Sequence, residues 1–284
     1  MAQSSSFGGL PEKYTSLEKA NIVIIPVPYD RTSTWLKGAD KGPAAIIEAS
    51  ANMELYDIET DSEIYKKGIF TDKPVVVAGP PEKMADKVAQ KVRFYLKKGK
   101  FAVVIGGEHS VSIGTIKSHV ENNKNITVLQ LDAHSDLRDE YHGSKYNHAC
   151  VMARAREAAP IVQVGIRSMD SSEKKYISRK NVFFAEDIYN KKGWVETVIS
   201  RLSDNVYITI DLDVFDPSIM PSTGTPEPGG LCWYDVLRLL KAVCDKKNVV
   251  GFDIVELCPN KYNKAPDFLA AKLIYKLLSY KFSV

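Results

Sequence analysis

Short apolar runs rich in β-branched residues recur along this chain, each too brief to form a core helix. NIVIIPV at 21–27, FAVVI at 101–105, ITVLQL at 126–131, NVYITI at 205–210 and Val249–Ile254 lack the alternation of a strand with one wet face. Strands of that kind are buried on both sides, which points to a parallel sheet. Ile161–Gly165 and Val182–Phe184 add shorter runs, and Lys66–Pro81 breaks into brief extended pieces around Val75–Val77. Stretches with helical spacing lie between them: Ala44–Tyr56 behind Pro43, Glu82–Lys98 stopping at Gly99, and a helix through Ile113 and Ile116. Four more follow at about Ala149–Ala158, Trp194–Leu202, Trp233–Lys246 and Asp267–Tyr280. This alternation predicts a mostly parallel sheet of seven or eight strands with helices on both faces. No repeat or linker-like composition break divides the chain. It therefore reads as one domain over 1–284, with an N-terminal arm over 1–20 that is flexible or draped at Ser4–Glu12.

Composition narrows the function classes. Hydrophobic residues make up 44% of the 284 and charged residues 26%, enough apolar material for a large core. The net charge of +3, from 38 basic and 35 acidic side chains, is far from the footprint of a nucleic-acid binder. No apolar span is long enough for a transmembrane helix, so no membrane partner is expected. The opening MAQSSSFGGLPEKY lacks the apolar stretch of a secretory signal, and the expected location is the cytoplasm. Cys150, Cys232, Cys244 and Cys258 show no CxxC spacing and read as buried or half-buried thiols in a reducing compartment.

Chemistry enters at the strand ends. ITVLQL breaks out of its apolar run into Asp132, His134 and Asp136. In extended backbone the i, i+2, i+4 spacing puts all three on one face, and carboxylates do not enter an apolar mouth unpaired. A bound cation resolves that cost, although a polar surface strand end would read the same way. His109 follows FAVVI within GGEHS, where two glycines imply close backbone approach or an unusual turn and Ser110 could cap the next helix. Asp211 and Asp213 follow NVYITI, again at i, i+2. In parallel sheets ligands collect beyond the C-terminal strand ends. Two histidines and four aspartates exceed what one ion needs, whereas two ions sharing bridging carboxylates use all six. An oxygen-rich set favours Mn²⁺, Mg²⁺, Co²⁺ or Fe²⁺ over a thiolate zinc site, and such pairs activate water for hydrolysis at carbon or phosphorus. Glu256, after the Val249–Phe252 run, could hold a cationic substrate group or make a salt bridge. His142 and His148 lie in the loop after Asp136; either could shuttle protons, and spacing does not choose between them. His119 reads as an exposed helix residue.

Taken together, GGEHS at 106–110, DAHSD at 132–136, the HA pair at 148–149, IDLDVFDPSIMPSTGTPEPGG at 210–230 and DIVELCP at 253–259 resemble the ureohydrolases, the arginase/agmatinase family. The resemblance runs from about Ile22 to the last helix. It implies a three-layer α/β/α domain with about eight mostly parallel strands, two Mn²⁺ ions per subunit, and a homo-oligomer, trimer or hexamer. Carried over residue by residue, it makes His109 and Asp136 ligands of one manganese and His134 and Asp213 ligands of the other. Asp132 and Asp211 would bridge both.

The same resemblance implies attack of a metal-bridging hydroxide on a guanidinium carbon. Glu256 would bind the guanidinium, and Asp136 would take the nucleophile's proton and pass it to the departing amine. His148, standing before a small residue, matches the family's proton-shuttling histidine better than His142 does. Arginases follow this motif with Ile-Asn; here Leu137 and Arg138 stand there. That departure, with Asp139 and Glu140 expected in the mouth, favours agmatine as substrate, hydrolysed to putrescine and urea in polyamine biosynthesis. Guanidinobutyrate, guanidinopropionate, formiminoglutamate and, last, arginine are the alternatives, along with a metal-binding homologue that has lost catalysis. The loops Tyr29–Pro43 and Arg138–Tyr146 are where specificity is expected.

Overall fold

The computed structural model describes residues 6–283. Among them are eight strands, β1 (Ile22–Val27), β2 (Ile69–Thr71), β3 (Phe101–Gly106), β4 (Ile126–Leu131), β5 (Ile161–Ile166), β6 (Val182–Phe184), β7 (Asn205–Asp211) and β8 (Asn248–Val255). They form one sheet in the order β2-β1-β3-β8-β7-β4-β5-β6, every neighbouring pair parallel. The helices are α1 (Gly42–Ser50), α2 (Pro81–Leu96), α3 (Val111–Asn122), α4 (Val151–Ala155), α5 (Ala185–Asn190), α6 (Trp194–Arg201), α7 (Trp233–Lys246) and α8 (Ala265–Phe282).

All six residues of β1 and of β4 are buried, as their unbroken apolar runs require. Successive side chains enter opposite helix layers. Ile22 and Ile24 of β1 share a core with Ile46 of α1 and with Leu240 of α7 and Leu273 of α8, whereas Val23, Ile25 and Val27 meet Met84, Val88 and Val92 of α2. Along β4, Leu129 and Leu131 join the first layer, while Val128 packs with Ile113 and Ile116 of α3 and Met152 of α4. The result is the three-layer α/β/α architecture with a parallel eight-stranded sheet.

Connectivity places the site. After β3 the chain crosses to β4, two positions further along the sheet than its nearest free neighbour, and builds β5 and β6 outward. Only then do β7 and β8 fill the gap. The ends of β3, β8, β7 and β4, far apart in sequence, thus become four consecutive mouths on one edge.

Several local features depart from the sequence reading. Helix α1 stops at Ser50 because the Ser50 hydroxyl turns back to the Ile47 carbonyl at 2.6 Å and accepts the Gly8 N–H at 2.8 Å. That contact ties down the N-terminal stretch, whose Phe7 is buried in the core; Ser4 and Ser5 lie outside the described residues. The expected helix at 149–158 is a 3-10 turn, His148–Cys150, followed by the short α4, and α5 was not anticipated. Ser110 does not cap α3; its hydroxyl donates to Glu108 Oε1 at 2.8 Å. Cys232 is exposed rather than half-buried. No helix among the described residues is long and apolar enough to cross a membrane.

His119 is the clearest correction. It is 1% exposed, its ring lies 4.4 Å from that of Tyr207, and Nδ1 pairs with the Thr115 carbonyl at 2.9 Å. The ring occupies the space a side chain at residue 251 would need: a Cβ on Gly251 would lie 2.3 Å from His119 Nε2. Burial lowers the His119 pKa from 6.5 to about 4. Because the folded value is the lower one, the stability this ring contributes is complete above pH 6.5 and is lost as the pH falls through about 4. The gap corresponds to about 3 kcal/mol. In an NMR titration the His119 imidazole should show a midpoint below about pH 5; a midpoint near the unperturbed value would contradict its burial.

Candidate active site

Each strand end delivers its polar residues by a different local device. At β3, the chain passes beneath the β1 loop so closely that a Cβ on Gly107 would stand 2.1 Å from the Tyr29 carbonyl oxygen. Only glycine fits, as the paired glycines suggested, and the tight exit carries Glu108 and His109 inward. At β4 the backbone does not stay extended. The strand ends at Leu131, and Asp136 adopts φ +51°, so alternation along a straight strand is not what gathers Asp132, His134 and Asp136. The bend does so instead, with the Asp132 carboxylate accepting the His134 N–H at 2.6 Å. At β7 a 3-10 turn, Leu212–Val214, separates Asp211 from Asp213, and Asp211 caps it by accepting the Asp213 N–H at 2.9 Å. Glu256, after β8, has φ +69°. Left-handed backbone at two non-glycine residues costs on the order of 1–3 kcal/mol each and is characteristic of functional sites.

The carboxylates converge on two imidazoles. His109 Nδ1 lies 3.1 Å from Asp132 Oδ2, 3.0 Å from Asp136 Oδ2 and 3.4 Å from Asp211 Oδ2. His134 Nδ1 lies 2.8 Å from Asp213 Oδ2 and 3.7 Å from Asp132 Oδ1. Two triads have donor atoms mutually within 4.8 Å, His109/Asp132/Asp211 and Asp132/His134/Asp213. Asp132 belongs to both. Asp211 joins only the first, and Asp136 reaches His109 while standing outside either triad.

The donor chemistry fits metal ions. His109 Nδ1 is buried and lacks a hydrogen-bond partner of good geometry. Its other nitrogen, Nε2, stands 3.0 Å from Thr209 Oγ1, whose single hydrogen goes to Asp253 Oδ1 at 2.7 Å. Nε2 then carries a proton and donates to Thr209; burial opposes a charged ring, yet the three carboxylates facing Nδ1 push the His109 pKa well above 6.5 and so call for positive charge at that nitrogen. A metal ion on Nδ1 supplies that charge in place of a proton.

The electrostatics agree. Burial and the charges of Asp213 and Asp136 raise Asp132 to about 7, and burial with Asp213 and Asp132 drives Asp211 well above the carboxylate range. Burial would raise Asp213 too, but His134 beside it holds it down to about 2. Glu256 is raised by burial and by Glu108, and its Oε1 accepts the His109 N–H at 2.7 Å. Burial lowers His148.

A pocket of about 150 Å³ opens above these groups. His109, His134, Asp136, His148, Asp211, Asp213 and Glu256 all line it. His142 is exposed and does not, so of the two loop histidines only His148 faces the site. Asp139 and Glu140 are also outside it: Asp139 turns to Arg154 at 2.7 Å and Lys145 at 3.7 Å. The segment after β5 brings Asp170 and Glu173 to the pocket instead, Asp170 with Arg138 Nη2 at 3.8 Å and the Arg138 guanidinium over the Tyr141 ring. Trp35 and Met169 complete the rim.

Supporting residues escaped the sequence reading. Gln130 donates to Asp132 Oδ2 at 2.6 Å and is itself bonded by Gln163 at 2.6 Å. Arg167 fastens the Gly/Pro-rich loop through the carbonyls of Asp213 at 2.6 Å, Glu227 at 2.9 Å and Pro228 at 3.0 Å. A glutamine inside each of two otherwise apolar strands was the one signal available for the first pair; nothing marked Arg167.

The arginase family model matches residues 20–279. The chain belongs to the arginase family. It is 38% identical over 282 residues to the N(1)-aminopropylagmatine ureohydrolase of Synechocystis sp., covering 95% of this chain and 92% of that protein. It is 40% identical over 274 residues to the N(1)-aminopropylagmatine ureohydrolase of Thermus thermophilus, with coverage of 95% and 93%. The solved agmatine ureohydrolase of Thermoplasma volcanium superposes with a TM-score of 0.86 at 32% identity, covering 95% of this chain and 92% of that one. The two adjacent ligand clusters of this arginase-family protein are consistent with a binuclear metal site for ureohydrolase chemistry on a guanidino group.

Sharing Asp132 between the triads has a consequence. After loading with a divalent metal, Asp132→Asn should hold fewer equivalents through dialysis than the unaltered protein, one or none against two, measured by elemental analysis. Two full equivalents in that variant would contradict the shared ligand.

Proposed function

We propose that this protein hydrolyses the guanidino end of a polyamine-type cation and releases urea, with N(1)-aminopropylagmatine preferred and agmatine the shorter alternative. The observation that carries the reading is the shared-carboxylate pair of triads beneath a narrow pocket with Glu256 at its base. The preference for the longer substrate is supported by relatives at 38% and 40% identity that bear that name. It is also supported by the pocket lining, which includes both Trp35, 75% exposed, and the carboxylate of Asp170. An indole face and a carboxylate suit an ammonium on an extended tail. Arg138, the one cation among the described residues that line the pocket, already faces the Asp170 carboxylate at 3.8 Å, which competes with a substrate carboxylate for it.

In the proposed mechanism His109, Asp136 and Asp211 would hold one Mn²⁺ and His134 and Asp213 the other, with Asp132 common to the two ligand groups and Asp211 the second carboxylate between them. Bound there, the metal pair supplies Lewis-acid activation of a water nucleophile and stabilises negative charge at the reacting carbon. Glu256 accepts N–H bonds from the planar guanidinium and fixes its carbon over the site. A free Asp136 carboxylate oxygen takes the nucleophile's proton and delivers it to the departing amine. His148, at the pocket wall, exchanges with solvent the water's second proton, which the product amine takes up as it becomes an ammonium.

A substrate panel tests the reading through kcat/KM with manganese supplied. The expected order is N(1)-aminopropylagmatine, then agmatine, with arginine and guanidinobutyrate lower by about 100-fold or more because a carboxylate meets the acidic mouth. Preference for arginine or guanidinobutyrate would overturn the substrate assignment. Failure to release urea from any guanidino compound would overturn the catalytic one.

A further inference from the structure

The loop between β1 and α1 reaches across the pocket to the loop histidine. Thr32 Oγ1 accepts the backbone N–H of His148 at 2.9 Å and lies 3.2 Å from His148 Nδ1, so one hydroxyl engages the residue at both its main chain and its ring. The loop is pinned where this matters: Asp30, beside Thr32, accepts the N–H groups of Gly38 at 2.7 Å and Ala39 at 3.2 Å. Behind Thr32 stands Glu108, fully buried, which takes the Ser110 N–H at 2.9 Å and hydroxyl at 2.8 Å; burial raises its pKa, and Ser110 with the Thr32 hydroxyl, for which its carboxylate is the strongest acceptor at hand, holds that rise back.

A threonine hydroxyl has one hydrogen and two lone pairs. With that hydrogen given to Glu108 and one lone pair given to the His148 backbone, the remaining lone pair can only accept from the ring. We propose that Thr32 is a positioning residue for His148: Oγ1 accepts Nδ1–H, hands its own hydrogen to Glu108, and leaves Nε2 as the ring atom that gains and loses the proton. Nδ1 then keeps its hydrogen throughout the cycle, and the imidazolium is stabilised by the Glu108 carboxylate through the hydroxyl. The chain of carboxylate, hydroxyl and imidazole fixes both the ring's orientation and its tautomer. The inference rests on the assignment of His148 as proton carrier.

Two measurements test it separately. In the full chain loaded with diamagnetic Mg²⁺, ¹⁵N NMR of the neutral His148 ring should show the proton on Nδ1, and Thr32→Val should lose that preference. A proton on Nε2 in the unaltered protein, or signals unchanged by the substitution, would overturn the proposal whether or not the protein turns over. In urea-release kinetics Thr32→Val should lower kcat about 30-fold with KM within about 2-fold, and Thr32→Ser, which keeps the hydroxyl, should restore kcat to within about 3-fold. A Thr32→Val kcat equal to that of the unaltered protein, or Thr32→Ser as impaired as Thr32→Val, would overturn it. An unaltered protein inactive on every guanidino compound would instead count against the assignment of function, leaving the NMR result to decide the role of Thr32.

Discussion

Four buried aspartates within reach of two imidazoles form the constraint on which the rest depends. Asp132 and Asp211 are both almost fully enclosed; burial raises the pKa of each, and Asp213 raises both further. Gathering such groups in an apolar mouth costs several kcal/mol per uncompensated charge, more than any single packing contact returns. The arrangement persists because every element around it is committed to it. Four adjacent strand ends aim at one point, the backbone tolerates left-handed residues at Asp136 and Glu256, and a glycine is obligatory where β3 passes under Tyr29. A pair of dications turns that repulsion into attraction. The fold is thus organised to hold positive charge, and the guanidinium chemistry follows from what the held charge can activate.

Rigidity around the cluster comes from buried hydrogen bonds. Asp253 collects Ser112 at 2.9 Å, Thr115 at 2.9 Å, Tyr207 at 2.5 Å and Thr209 at 2.7 Å, and through Thr209 it sets the tautomer of His109. Gln163 and Gln130 do the corresponding work for Asp132. Asp30 and Arg167 fasten the two loops that wall the pocket. Such outer partners orient ligands within the narrow tolerance that metal geometry demands.

The layers, the parallel sheet and the strand ends that carry chemistry were legible because they depend on period and polarity. FAVVI and ITVLQL have no other stable home than a doubly covered sheet. Less legible was whatever depends on one segment meeting another. Extended spacing put Asp132, His134 and Asp136 on one face for the wrong reason, since a bend gathers them. His119 looked exposed because its partners, Tyr207 and the bare backbone of Gly251, are far away in sequence. Asp139 and Glu140 were adjacent to the motif but turned outward, while Asp170 came to the mouth from another loop. Thr32 carried no motif at all; only the loop's path across the pocket brings it to His148.

Two metal ions held by the triads that share Asp132 would lie close enough to act together. Electron paramagnetic resonance of the manganese-loaded protein tests it most directly. At saturation the spectrum should be that of an exchange-coupled manganese pair, with two ions bound per chain. The hyperfine pattern of isolated Mn²⁺ at saturation, with a single ion bound per chain, would contradict it.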